Sequence, residues 1–141
     1  KKEIYKENLT SKLLQKYSII IIIKLKNKNI CEIGCGNGNI SNHLIKNSKK
    51  DNFYHLSDVS SLAVDFAQKK IKNKNVYFKV GDLFKPWGNK KFDIIISLLS
   101  SLSQNIAEKS PWYKGVDSNC GKDGLKNVRR ILKNMILLQH L

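Results

Sequence analysis

The chain has 141 residues and a hydrophobic content of 41%, enough for one globular domain with a buried core. Its longest apolar run, residues 19–23, is far shorter than a membrane span, and its charged first residues do not resemble a secretory signal. We therefore expect one cytoplasmic domain over 1–141 without membrane association. The net charge of +15 comes almost entirely from lysine residues that are spread along the chain. It favours binding to an acidic partner or to RNA but does not distinguish between the two.

The first predicted elements lead into a glycine-rich loop. A helix is predicted over residues 10–23, capped by Thr10 or Ser11, and a polar connection over 24–29 follows it. Residues 30–33 form a short apolar strand, and glycines then occupy the alternate positions 34, 36 and 38 before a helix over 39–46. Glycine tolerates the positive φ that such a turn needs, and the start of the helix offers free N–H groups to a polar ligand. The alternative is a glycine-rich turn without a ligand.

Strands and helices continue to alternate after this loop. We predict a strand over 53–57 that ends at Asp58, a helix from Ser60 or Ser61 to residue 72, and strands over 76–80 and 92–97. This alternation is typical of a parallel, doubly wound α/β sheet, in which ligands bind beyond the carboxyl ends of the strands. The loops at 34–39, 58–61, 82–87 and 97–103 are therefore the candidate ligand-binding loops.

The remainder of the chain has a weaker pattern. Residues 98–124 are predicted to be a long loop, and residues 125–135 a helix that is followed by either its own last turn or a further strand. Cys31, Cys35 and Cys120 do not have the spacing of a zinc site, so we expect buried, reduced thiols and no metal.

Acidic residues follow or lie within the predicted strands. Asp58 is placed to accept hydrogen bonds from both ribose hydroxyls of a nucleoside, or else to cap the next helix. The Asp82 carboxylate and the Leu83 N–H are placed to contact an adenine ring, unless Asp82 only forms a turn. Glu32 is placed to meet a cationic methionine end or to pair with an N–H of the loop.

Residues 30–40, Asp58, residues 80–83 and residues 92–97 resemble, in order and spacing, motifs I to IV of the class I S-adenosylmethionine-dependent methyltransferases. The resemblance implies a Rossmann-like, mostly parallel sheet, with a helical segment over 1–29, a cofactor-binding core over 30–97, a substrate-side loop over 98–124 and a helix over 125–141. It also implies S-adenosylmethionine as the cofactor. The cofactor contacts that it implies are at Glu32, Gly34, Cys35, Gly36, Gly38, Asp58, Val59, Asp82, Leu83 and Ser97.

A second resemblance is to the HemK-like group, which methylates the glutamine N5 atom of translation release factors. The residues that carry it are Ile4 and Tyr5, residues 10–14, residues 112–115, and residues 121–125 with the helix through 130–132. This resemblance implies a release factor as the protein substrate. Some members of this group that resemble the chain need a small zinc-binding activator that pairs with the sheet. The resemblance therefore also implies such an activator as a partner.

Two features depart from that group. Its Asn-Pro-Pro-Tyr motif is replaced by Leu98, Leu99, Ser100 and Ser101, so no catalytic residue is assigned. Three further strands normally follow the last helix, whereas the chain stops at Leu141, which predicts missing or truncated C-terminal strands and an exposed sheet edge. Two alternatives stay open: a nucleic-acid methyltransferase that acts, for example, on an adenine amine, and a catalytically inactive relative that still binds the cofactor.

Overall fold

The computed structural model describes residues 8–48, 51–99, 103–109 and 120–139. The chain divides into two compact units, of which one ends at Leu98 and the other begins at Leu99. Each unit is described by itself. The expectations placed on residues 4–5, 100–101 and 112–115 lie outside the described residues.

The first unit alternates helices and strands, as the sequence predicts. Its elements are α1 (Leu9–Ile22), β1 (Asn29–Ile33), α2 (Asn39–Ser48), β2 (Phe53–Asp58), α3 (Ser61–Lys70), β3 (Val76–Val80), a short 3₁₀ helix (Lys85–Trp87) and β4 (Ile94–Ser97). All four strands are parallel and lie in the order β3-β2-β1-β4. The prediction of a parallel α/β sheet is therefore confirmed, and among the described strands β3 and β4 are the edges.

The start of α1 differs from the prediction. Asn8 is the cap, and its side chain accepts a hydrogen bond from the Ser11 N–H at 2.9 Å, while the Ser11 hydroxyl accepts one from the Asn8 N–H at 2.9 Å. This reciprocal arrangement satisfies two N–H groups that a helix start leaves free. Ser11 thus lies inside the helix and supports the cap instead of being the cap.

The two faces of the sheet differ in composition, because alternate side chains of a strand point to opposite faces. One face, which we call the helix-side face, contributes apolar residues to the main core with α1, α2 and α3. These core residues are Ile22, Ile30, Cys35, Ile40, Leu44, Tyr54, Leu56, Ala67, Ile71 and Ile96. The opposite face carries a mixed set that includes Asn29, Cys31, Phe53, His55, Ser57, Tyr77 and Lys79.

Three element ends lie two residues from their predicted positions. α2 ends at Ser48 and not at residue 46. α3 ends at Lys70, because Ile71 takes an extended conformation and its side chain is buried in the core. β4 begins at Ile94, and the Asp93 carboxylate just before it accepts hydrogen bonds from the Asn29 N–H and the Lys28 ammonium at 2.8 and 3.1 Å.

The second unit contains α4 (Gln104–Lys109) and α5 (Lys126–Gln139). The Gln104 N–H donates to the Gly121 carbonyl at 3.0 Å, so α4 is held within the interval that the sequence predicts to be a loop. α5 continues to Gln139. The residues after 135, for which the sequence allowed either helix or strand, are therefore helical through Gln139. Within the residues that the structure describes, no helix is both long and apolar enough to cross a bilayer.

Candidate functional site

The glycine loop begins where β1 ends, beside the end of β2. The N–H groups of Gly34 and Cys35 both donate to the Ser57 carbonyl, at 2.8 and 3.0 Å. Gly34, Gly36 and Gly38 have φ values of +71°, +53° and +71°, which side chains of L-residues rarely allow. The alternating glycines are therefore a requirement of the backbone path, as the sequence predicts.

Gly36 and Gly38 lack a side chain for different further reasons. A Cβ atom at Gly38 would lie 2.9 Å from the Ile71 Cδ1 atom and 3.0 Å from the Ala67 Cβ atom, so α3 packs directly on this glycine. A Cβ atom at Gly36 would have nothing within 4 Å. The loop is thus closed on its core side and open at Gly36, where a ligand would find free space.

Asp58 lies beside this open glycine. One of its carboxylate oxygens accepts a hydrogen bond from the Gly36 N–H at 2.9 Å, and the other accepts one from the Ser60 N–H at 2.9 Å. The structure therefore brings Asp58 to the glycine loop. The capping role that the sequence left open for Asp58 belongs to Ser60, whose side chain accepts a hydrogen bond from the Ala63 N–H at 3.3 Å. Val59, the next residue, is 70% exposed at the same strand end.

Glu32 points to the helix-side face and is 2% exposed. Its Oε2 atom accepts hydrogen bonds from the Ser41 N–H, at 3.0 Å, and from the Ser41 hydroxyl. Burial raises the pKa of Glu32 to about 7, against the opposing effect of the Ser41 hydrogen bonds, and the charge of Asp58 raises it further. The N–H that Glu32 binds belongs to the first turn of α2 and not to the glycine loop, which corrects that alternative.

Asp82 and Leu83 lie beyond the end of β3. The Gly81 N–H donates to the Asp58 carbonyl at 2.9 Å, which joins this loop to the end of β2. The Asp82 carboxylate lies 3.4 Å from the Lys85 ammonium, and the Lys85 N–H donates to the Asp82 carbonyl at 3.1 Å, so Asp82 starts the turn into the 3₁₀ helix. Leu83 has a φ of +50° and is 7% exposed.

The end of β4 offers a different environment. The Ser97 hydroxyl donates to the Ile33 carbonyl at 3.2 Å. Leu98, at the position where the HemK-like group has the Asn of its Asn-Pro-Pro-Tyr motif, packs against the hydrophobic core. Ser100 and Ser101 lie outside the described residues. The described part of this segment therefore presents no side-chain amide to an acceptor.

Cys31 and Cys35 are buried with free thiols, as expected. Burial and then the negative charge of Glu32 raise the pKa of Cys31 to about 12, and the same two effects raise the pKa of Cys35. Both thiols are therefore protonated and unreactive near neutral pH. Cys35 acts as a small apolar residue that anchors the glycine loop in the core.

The sequence did not indicate two serines that organise this site. Ser41 donates hydrogen bonds to Glu32. The Ser57 carbonyl accepts hydrogen bonds from the N–H groups that begin the glycine loop, and the Ser57 hydroxyl accepts one from the Trp87 indole N–H at 3.1 Å. Both are at most 1% exposed. The contact between a buried serine and a buried carboxylate can be recognised only once the helix and the strand that carry them are positioned in three dimensions. The sequence pattern alone therefore did not reveal the roles of these serines.

The chain is similar to known methyltransferases. A family model described as a methyltransferase domain matches residues 24–139. The crystal structure of a provisionally named RNA methyltransferase from Pyrococcus horikoshii aligns with a TM-score of 0.55 and 16% identity, covering 68% of this chain and 47% of that one. At this identity the structural likeness concerns the fold alone.

Three curated relatives have named activities. Ribosomal RNA small subunit methyltransferase A is 40% identical over 58 residues in Mesomycoplasma hyopneumoniae (strain 232), or 41% of this chain, and 32% identical over 145 residues in Mycoplasma mobile, or 84% of it. A provisionally named protein N5-glutamine methyltransferase of Methanocaldococcus jannaschii is 32% identical over 113 residues, or 79% of this chain. The chain spans 21% of the first relative and 56% of the other two.

Proposed function

The chain belongs to the S-adenosylmethionine-dependent methyltransferase domains, and on that premise we propose that it methylates an exocyclic amino nitrogen of an RNA base. The observation that carries the cofactor half of this proposal is the open space at Gly36 beside the Asp58 carboxylate. The acceptor half is supported by the net charge of +15 and by the match to ribosomal RNA methyltransferases over as much as 84% of the chain.

The residues at the strand ends fit a nucleoside cofactor. Free space at Gly36 lets a ligand approach the backbone, and Asp58 provides two acceptor oxygens for vicinal hydroxyls. The Gly81 N–H donates to the Asp58 carbonyl at the end of β2, and this link supports adenine contacts at Asp82 and Leu83 next to the proposed ribose contact. Gly34, Cys35, Gly38, Val59 and Ser97 complete the proposed cofactor site at the same strand ends.

The role of Glu32 in this proposal is indirect. Because its carboxylate is 2% exposed and held by Ser41, it fixes the first turn of α2 against β1. The loop between these two elements is the glycine loop, so Glu32 positions the backbone that a cofactor would contact. A buried hydrogen-bonded carboxylate of this kind is costly to replace by an apolar residue.

When bound, S-adenosylmethionine supplies a methyl group on a positively charged sulfur, which needs little chemical assistance to leave. The task of the chain is then to hold the acceptor nitrogen in line and to exclude water. Leu98 cannot supply a hydrogen bond to that nitrogen, because its side chain has no donor or acceptor, and it packs against the core. The acceptor contact therefore comes from another group, and no side chain among the described residues is assigned to it.

The proposal is tested by methyl transfer from isotope-labelled S-adenosylmethionine to unmethylated small-subunit ribosomal RNA, followed by digestion to nucleosides. We expect label in N6-methylated adenosine from the native chain and none from Asp58→Ala. Asp65→Ala is the matched control, since Asp65 is an exposed carboxylate on α3. Label in the RNA that is independent of Asp58, or no label in any nucleoside, would contradict the proposal.

A glutamine side chain is the second candidate acceptor. The match to the Methanocaldococcus jannaschii protein over 79% of this chain supports it, as does the resemblance of residues 121–125 to the release-factor group. In this case the substrate would be a translation release factor, and the described edge of β4 is a candidate contact for a small zinc-binding activator. The same assay with a release factor that carries Gly-Gly-Gln, with and without such an activator, distinguishes the two: label in N5-methylglutamine and not in RNA would favour this candidate.

A further inference from the structure

The opposite face of the sheet carries a cavity of about 530 Å³. Its lining runs from the first residues of β1 and β2 to β3 and includes no residue of the glycine loop, and the resemblance to methyltransferases assigns no role to it. Its lining is aromatic and basic. The residues that line it are Asn29, Phe53, His55, Tyr77, Lys79, Trp87 and Lys90.

The aromatic rings of this cavity are already arranged as stacking partners. His55 is stacked on Tyr77, with ring centroids 5.0 Å apart and planes 11° apart, and it meets the edge of Trp87 at 5.3 Å. Tyr77 lies on the edge strand β3 and is 47% exposed. A ring that is half exposed and already supported by a second ring is a platform on which a further planar group can stack.

His55 has an unused hydrogen-bonding atom. The residue is 3% exposed, its Nε2 atom lies 3.0 Å from the Asn29 Oδ1 atom, and its Nδ1 atom has no partner among the described residues. Because the Asn29 oxygen is an acceptor, Nε2 carries the proton and Nδ1 is left with a free lone pair. This atom is buried and the ring packs against Tyr77, Trp87 and Phe92, so His55 supports the aromatic rings of the cavity and is not itself a ligand contact.

The positive charge around the cavity indicates the other half of the ligand. The Lys79 ammonium lies 5.0 Å from the centre of the Trp87 ring and donates to the Pro86 carbonyl at 2.9 Å, which leaves two of its hydrogens. Lys90 also lines the cavity and is exposed. Burial, with Lys90 and Lys79 next in order, lowers the pKa of His55 to about 4, which keeps its ring neutral near pH 7.

We propose that this cavity binds one nucleotide of a single-stranded RNA, with the base stacked on Tyr77 and the phosphate between Lys79 and Lys90. A planar ring and an anion are the two features that the cavity complements, and a nucleotide combines them. The cavity would hold the substrate RNA away from the reacting base. This inference rests on the proposed RNA acceptor, and its test measures binding without methyl transfer, so that the two can fail separately.

The test uses a labelled single-stranded RNA of about six nucleotides, with binding to the full chain followed by fluorescence anisotropy in the absence of S-adenosylmethionine. The Tyr77→Leu variant is expected to raise the Kd about tenfold, because it removes the stacking platform from an exposed position. Tyr17→Leu is the matched control, since Tyr17 is 60% exposed on α1, and its Kd should stay within twofold of the native value.

A second pair of variants tests the contribution of the lysine charges. Exchanging both Lys79 and Lys90 for Gln should weaken binding and lower the slope of log K against log salt by about 0.7 for each lysine. The double variant Lys69→Gln/Lys72→Gln removes two exposed lysines elsewhere and should change the slope far less. All variants are checked for native circular dichroism before the binding curves are compared.

Trp87 reports the place of binding. RNA should quench the tryptophan fluorescence of the native chain, and Trp87→Phe should lose that change while the anisotropy signal remains. Adenosine monophosphate should bind much more weakly than the RNA. Equal Kd values for Tyr77→Leu and Tyr17→Leu would overturn the inference. So would binding of the free nucleotide as tight as that of the RNA, or Trp87 quenching by a Gly-Gly-Gln peptide and not by RNA.

Discussion

The carboxyl ends of β1 and β2 differ sharply from the carboxyl end of β4, although parallel strands bring all three to the same side of the sheet. At the first two ends, Asp58 and the N–H of Gly36 lie beside open space, and the path is fixed by hydrogen bonds to Ser57. At the end of β4, Ser97 donates to a backbone carbonyl and Leu98 packs on the core.

This difference distinguishes the residues expected to contact the cofactor from the residues expected to orient the methyl acceptor. The groups at β1 and β2 are backbone atoms and one carboxylate, which suit a cofactor that every member of such a family shares. The group expected at β4 is a side-chain amide that would orient one class of acceptor, and this chain has leucine there. We therefore propose that the described residues form the cofactor half of the site and that acceptor recognition depends on other parts of the molecule.

The largest expected effect concerns the closed side of the glycine loop. Gly38→Ala should lower the free energy of unfolding by about 3 kcal/mol, because the added Cβ atom meets Ile71 and Ala67 and the backbone keeps a φ of +71°. Gly36→Ala should cost about 1 kcal/mol, since only the positive φ is strained there. Urea denaturation measures both values. Equal losses of stability would show that Gly38 is not more tightly packed than Gly36.

The second effect is a pH dependence that Glu32 imposes on this same region. The raised pKa of Glu32 means that the folded state keeps its proton up to about pH 7, whereas the unfolded chain releases it above about 4.5. Stability is therefore lost as the pH rises through this window. The free energy of unfolding of Glu32→Gln, relative to the native chain, should rise by about 2 kcal/mol between pH 4.5 and 7.

Urea denaturation at several pH values between 4.5 and 7 measures this rise. Asp65→Asn, which changes an exposed carboxylate, is the control and should follow the native curve. His55 contributes in the opposite direction between about pH 4 and 6.5, because its lowered pKa makes protonation favour the unfolded state. It does so equally in Glu32→Gln and in the native chain. A parallel pair of curves would show that the pKa of Glu32 is the same in the folded and the unfolded chain, and would contradict this prediction.

The smallest effect concerns the end of β4. Leu98→Ala should lower the free energy of unfolding by about 1 kcal/mol, because Leu98 is only partly buried against the core. Its affinity for S-adenosylmethionine should stay within twofold of the native value, as measured by calorimetry. A large loss of cofactor affinity in this variant would remove the proposed separation between the two strand ends.

The sequence predicted the fold because the strands are short, apolar and separated by clear turns. Residues 76–80 form β3 as predicted, and the order of elements from α1 to β4 is confirmed. The six-residue helix α4 was not predicted, since it is too short to show a helical period and lies in a polar interval. The cap at Asn8 was also missed, because two later hydroxyl residues offered equally good cap candidates.

The candidate site was predictable where it depends on backbone geometry. Glycines at alternate positions and an aspartate at the next strand end follow from chain order alone, and the structure brings Gly36 and Asp58 together at 2.9 Å. The contact between Glu32 and Ser41 depends on how α2 lies on β1. The stacking of His55 on Tyr77 depends on the register between β2 and β3, which neither strand encodes by itself.

The most direct test of the account is the calorimetric titration of the native chain with S-adenosylmethionine, alongside Asp58→Ala and Asp65→Ala. We predict saturable one-to-one binding by the native chain and by Asp65→Ala, and a loss of affinity of at least tenfold in Asp58→Ala, because its two acceptor oxygens are removed from the open side of the glycine loop. No binding by the native chain, or equal binding by all three proteins, would contradict the placement of the cofactor at the ends of β1 and β2.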